Sequence, residues 1–272
     1  MSSRAVRKYA VVFKVALAER LVYRGDFFVA TFLRFLPIIT TILLWRAIYD
    51  GAGRDNVGGL SFANMVAYYL LVMVVRAFGS MPGLSSGIAR DVREGDLRKF
   101  LLQPIDYLTY LLALRAAHKL VYYVMAVGPY AIVFWLCREY LPALPGARSL
   151  GLILLTLVGT LLLGFVINCL LGLLAFWFLE VGSFLYLFMT VQYFLSGQMF
   201  PLSLLPDGIR RVVTLLPFAY ETYYPTLVLL GRMPAGDIAR IVLVQAVWIV
   251  ILAAVVRFAW ARGLRRFAAF GG

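Results

Sequence analysis

The sequence predicts an all-α membrane protein. It has six transmembrane helices, an N-terminal amphipathic interfacial helix, a short polar helix on the cytoplasmic side and outer re-entrant helices before the last span. Three observations lead there. Of 272 residues, 63% are hydrophobic and 14% charged, with a mean hydropathy of +0.88; soluble domains carry roughly one-quarter charged residues. Long charge-free runs alternate with basic segments, the pattern of a chain that crosses a bilayer repeatedly. The stretch 201–234 is apolar and aromatic yet broken by five prolines, Pro201, Pro206, Pro217, Pro225 and Pro234, too broken to span and too apolar for an ordinary loop.

Lys and Arg outnumber Asp and Glu 26 to 13. In a membrane protein this excess is expected at inner flanks, where cations set orientation and touch anionic lipid. No nucleic-acid partner is expected.

Within residues 1–24, Arg4, Arg7, Lys8, Lys14, Arg20 and Arg24 accompany an apolar stripe of Val6, Ala10, Phe13, Leu17 and Leu21. That spacing fits a helix lying on the cytoplasmic leaflet. A packed helix of a small soluble lobe is the alternative, disfavoured because a span follows at once. No cleavable signal peptide is expected, since no apolar core with a small-residue cleavage site follows the basic start.

The first span, 27–49, covers about 34 Å at ~1.5 Å per residue. Pro37 should kink it, and Arg46 precedes Asp50 by one turn as an interface pair. Arg34 lies about two turns inside, where it either snorkels to the inner surface or meets a partner. The glycine-rich stretch 50–59 reads as an external turn. The second span, 60–77, ends near Arg76, and a Gly-Ser-Met-Pro-Gly break follows. The third, 106–136, has Arg115, His118 and Lys119 on its inner shoulder. Residues 149–206 hold one charge, Glu180, so this stretch is read as two spans, 150–176 and 181–200, with Glu180 near the inner turn. Gly159, Gly164 and Gly172 would let other helices approach the fourth span closely. The sixth span is 238–259, closed by Arg262, Arg265 and Arg266.

Catalytic and metal chemistry find little support. His118 is the single histidine and sits between cations. Cys137 and Cys169 have no metal spacing and read as small apolar-run residues, so no metal site is expected. Ionisable groups at membrane depth mark proton-coupled transport, and only Arg34, Glu180 and Glu221 are candidates. A phosphate loop needs a Gly-Lys pair, whereas the lysines here follow Arg7, Phe13, Arg98 and His118. The chain cannot hydrolyse ATP by that route and is not expected to be an enzyme.

The polar run Arg90–Tyr107, RDVREGDLRKFLLQPIDY, lies between apolar blocks. It reads either as a solvated charged loop or as a handle for a partner. In the second case Asp96 caps a short helix, Leu97, Phe100 and Leu101 anchor, and Arg98 and Lys99 pair with acidic groups.

Two motifs carry a family resemblance. Val92–Asp106, VREGDLRKFLLQPID, is similar to the inner-loop pattern of the membrane subunits of ABC-2 type ABC transporters. Leu195–Gly231, LSGQMFPLSLLPDGIRRVVTLLPFAYETYYPTLVLLG, resembles that family's outer motif before the last span. Tyr23–Phe28, YRGDFF, is similar to a subgroup found as paired, non-identical permeases. The resemblance covers nearly the whole chain.

It implies a single ABC-2 transmembrane domain over 1–272, in the inner (plasma) membrane with both termini cytoplasmic. The loop 82–105 would be a coupling helix against an ATPase, carried by Arg93, Glu94, Gly95, Asp96, Leu97, Arg98, Phe100 and Leu101. Phe200, Pro201, Phe218, Tyr220, Glu221 and Tyr223 would line an outer gate, or the aromatic residues among them, together with Tyr224, would form an interfacial belt. Spans one, two and five would wall the path. Two ABC ATPase subunits, a second permease and membrane lipid are the implied partners, with ATP and Mg on the ATPase and no cofactor on this chain. The cargo would be hydrophobic, amphipathic or lipid-linked and exported. The competing expectation is an ion-gradient-driven secondary transporter, or a lipid-handling channel, without an ATPase.

Overall fold

A computed structural model describes residues 35–269 except 54, 142–146 and 179, together with positions 11 and 33. The N-terminal amphipathic segment 1–24 and Arg34 lie outside the described residues. The chain forms two compact units, Met1–Ala52 with Lys99–Leu141 and Gly53–Arg98 with Pro142–Gly272.

In the first unit, α1 covers Leu36–Ala52 and α5 covers Tyr107–Leu136. Pro37 stands in the first turn of α1 as described, where its missing N–H is harmless, and its carbonyl accepts from the Thr40 and Thr41 hydroxyls at 2.8 Å. Arg46 and Asp50 approach to 4.0 Å with both side chains largely exposed. Asp106 caps α5 by accepting from the Thr109 backbone N–H at 2.9 Å.

The second unit begins with a small hairpin. Strands β1, Asn56–Val57, and β2, Leu60–Ser61, pair antiparallel around Gly58 and Gly59, whose φ values of 59° and 80° suit the tight turn. Ser61 then caps α2, Phe62–Gly79. Helix α3, Leu84–Arg93, follows after the extended Ser80 and left-handed Gly83, φ 71°. Leu84, Ser85, Ile88, Ala89 and Val92 of α3 are buried along one face. The short α4, Leu97–Leu101, comes next.

Beyond the undescribed stretch are α6, Ala147–Leu173, prolonged as a tighter turn over Leu174–Phe176, and α7, Gly182–Leu195. Three short helices follow: α8, Asp207–Val213; α9, Pro217–Glu221; and α10, Tyr223–Leu229. The last helix, α11, is Ala235–Ala269. Prolines explain the short pieces, because Pro217 opens α9 at a position that needs no donor.

Four described helical stretches are long and apolar enough to cross a membrane: Phe62–Arg93, Tyr107–Leu136, Leu150–Phe176 and Ala235–Phe267. Helix α7 is apolar but shorter. The expected span over 181–200 is helical only to Leu195 because the Ser196–Gly197 turn stops it. Gly197 has φ 79°, and an added Cβ there would stand 2.9 Å from the Tyr68 hydroxyl and 3.0 Å from the Tyr223 Cβ.

Helix α6 is the axis of this unit. A Cβ on Gly159 would run into the Gln245 side chain of α11, and one on Gly164 into the Gly79 carbonyl of α2. At Gly172 it would lie 2.8 Å from the Ser85 carbonyl of α3. The three glycines therefore let three helices approach closely, as their lack of a side chain predicts.

Candidate functional site

Two regions concentrate the residues singled out from sequence, and the first is the polar run after α3. The Glu94 backbone N–H closes α3 on the Arg90 carbonyl at 2.8 Å. Gly95, with φ 78°, turns the chain, and Leu97 opens α4 as a fully buried side chain. Phe100 packs against Tyr107 and Tyr110, with ring centroids at 5.0 and 5.1 Å. Leu97 is thus turned inward, and the half-buried Phe100 leans on the start of α5. The outward set is Arg93, Glu94, Arg98 and Lys99 with Leu101, 48% exposed, and Leu102, 88% exposed. Leu102 was missed, although a third consecutive apolar residue after a helix of this length is a visible signal.

The second region is the segment 201–234 with the turn that leads into it. Its place is set by the hairpin, since a Cβ on Gly58 would meet the Leu204 side chain and Arg232 reaches the Gly59 carbonyl at 3.5 Å. Tyr68 and Tyr69 of α2 donate to the Gly197 and Met199 carbonyls at 2.6 and 2.7 Å. Tyr220 and Tyr223 are buried, and Tyr220 stacks with Tyr224 at 4.7 Å. Phe218 meets Phe188 of α7 at 5.7 Å, and Phe200 meets Phe194 at 6.4 Å. Pro201 is buried before the turn Leu202–Leu204.

Beneath these rings lies a polar layer. The Gln245 amide, 1% exposed, donates to the Thr156 carbonyl at 3.1 Å, the Thr160 hydroxyl at 3.4 Å and the Tyr220 carbonyl at 3.0 Å. One side chain thus joins α11, α6 and α9. Glu221, 5% exposed, accepts from the Gln192 amide of α7 at 2.6 Å. Gln198 donates to the Thr222 hydroxyl at 3.3 Å, and the Thr226 hydroxyl to the Thr222 carbonyl at 2.7 Å. Gln245 lies about 15 Å along α11 from Ala235, and Thr160 about 15 Å along α6 from Leu150.

The remaining candidates separate. Glu180 is exposed and accepts from the Gly182 backbone N–H at 2.6 Å, a helix-start contact away from this layer. Gln192 and Gln245 were missed; the available signal was a lone amide within an apolar run, where a polar side chain needs a partner. Among the described residues no group of His, Cys, Asp and Glu could hold a metal ion.

Apolar helices long enough to cross a bilayer, packed around buried polar side chains, define a multi-pass membrane protein. The family model of the ABC-2 family transporter proteins matches residues 35–271, and the chain belongs to that family. It is therefore a membrane transport subunit of a type that associates with ATPase subunits. No curated protein matches it in sequence.

Proposed function

We propose that this chain is the permease subunit of an ATP-driven exporter for a hydrophobic, amphipathic or lipid-linked substrate. It spans the inner membrane six times with cytoplasmic termini. It pairs with a second permease, itself or a sister chain, and the two engage two ATPase subunits that bind ATP and Mg. The carrying observation is the exposed edge of the loop between the second and third spans. There Leu101 and Leu102 project beside Arg98 and Lys99, while Leu97 and Phe100 keep the short helix seated. Apolar anchors ringed by charge suit a protein groove. Closure of the ATPases pushes this edge, and the motion passes through α3 into α2 and opens a path under the outer segment.

One observation favours a second reading. Glu221 is a buried carboxylate on a chain with membrane-spanning helices, the kind of group an ion-coupled transporter uses. Membrane vesicles separate the two. ATP-dependent transport lost in Leu101→Asp/Leu102→Asp supports the exporter, whereas transport that follows an ion gradient without ATP overturns it.

A further inference from the structure

The inner end of α11 carries a feature the coupling role leaves unused. At ~1.5 Å per residue, Ala235–Ala269 is about 52 Å long, well beyond a ~30 Å hydrocarbon core. With cytoplasmic termini, as proposed above, its last turns reach the inner head groups. These turns are held firmly in place. The Phe176 ring fills the notch at Gly263, where an added Cβ would collide with it, and packs near Trp260 and Phe267 at 6.1 and 6.3 Å.

Beside this clamp an open cleft of about 610 Å³ is lined by Trp177, Phe258, Ala259, Arg262, Arg265 and Arg266. Its apolar floor meets three guanidinium groups. Arg262 lies over the Phe258 ring at 5.4 Å, a stack that leaves its N–H edge to face an in-plane acceptor.

The face above the cleft indicates the ligand. Ile251, Val255 and Phe258 are exposed at 46%, 41% and 62%, and their spacing places them on one helix face leading to Arg262. An apolar strip running from mid-membrane into a basic cleft fits an acyl chain attached to a phosphate. A soluble phosphate would have no use for the strip.

We propose that this cleft binds an anionic phospholipid of the cytoplasmic leaflet, with its phosphodiester on Arg262, Arg265 and Arg266 and an acyl chain along Phe258, Val255 and Ile251. The test is native mass spectrometry of the full chain with its co-purifying subunits, loaded with phosphatidylglycerol or phosphatidylcholine of the same chains. Phosphatidylglycerol is expected to be retained preferentially. Retention should fall roughly a hundredfold in Arg262→Gln/Arg265→Gln/Arg266→Gln, taking about 1 kcal/mol per cation, and stay unchanged in the outer pair Arg210→Gln/Arg211→Gln. Phe258→Ala, which keeps every charge, should weaken retention several-fold. Equal retention in the triple variant, an equal loss in the outer pair, or displacement by soluble glycerol phosphate at the lipid's concentration would overturn the site. The readout needs no ATPase, so it fails separately from the transport assignment; labelling of the chain's C-terminal side reports the orientation independently.

Discussion

Helices α9 and α7 meet at the same carboxylate yet are held in opposite ways. Tyr220 and Glu221 of α9 are buried, and Gln245 fastens its carbonyl to α6 and α11. Along α7 only Leu185 is buried, while Tyr186 and Leu187 are 77% and 60% exposed. Its links to residues 200–221 include Gln192 on Glu221, Phe188 on Phe218 and Phe194 on Phe200. One helix is part of a fixed frame. The other is tethered at a few points, which suits an element that moves or faces a second subunit.

Substitutions at the frame should have the largest effects. Gly164→Val puts a branched side chain against the Gly79 carbonyl, and neither backbone can yield without separating α6 from α2. A loss of about 3 kcal/mol is expected, read as a fall in the thermal unfolding midpoint in detergent.

Gln245→Leu comes next. It strips a donor from the buried Thr156 and Tyr220 carbonyls and places an alkyl group beside the Thr160 hydroxyl. A loss of about 1–3 kcal/mol follows, and hydrogen exchange should quicken in α9 more than in α7. Equal quickening in both helices would mean that α9 is held no more firmly than α7.

Glu221→Gln should cost less than Glu221→Ala, because an amide oxygen still accepts from Gln192 whereas alanine leaves that amide without its acceptor. The expected difference is about 1 kcal/mol in the same unfolding measurement. The reverse order would mean that the carboxylate itself is strained in its site.

Smallest is the effect of Tyr186→Ser/Leu187→Ser on the surface of α7. Stability of the isolated chain should change by less than about 0.5 kcal/mol. Association with a second permease, measured by light scattering in detergent, should fall. Unchanged association would remove α7 from the proposed contact.

Local chemistry made much of the fold legible. Asp106 before Thr109 caps the helix expected over 106–136, and the Gly-Ser-Met-Pro-Gly break separates α2 from α3. The glycines of α6 mark its contacts because a residue without a side chain leaves room for a neighbouring element. The polar layer was hidden for a different reason: Gln192 meets Glu221 across 29 positions and Gln245 meets Thr156 across 89. No local period encodes such pairs. Sequence also could not show that Leu97 turns inward while Leu102 faces out, since four- and five-residue spacings in so short a helix leave its orientation open.

The central claim, that an ATPase grips the loop between the second and third spans, is tested most directly by photo-cross-linking. A photoreactive side chain at Leu102 should capture the ATP-binding subunit in native membranes, and the same probe at buried Leu97 should not. Capture of lipid alone at position 102, or equal capture from both positions, would contradict the account.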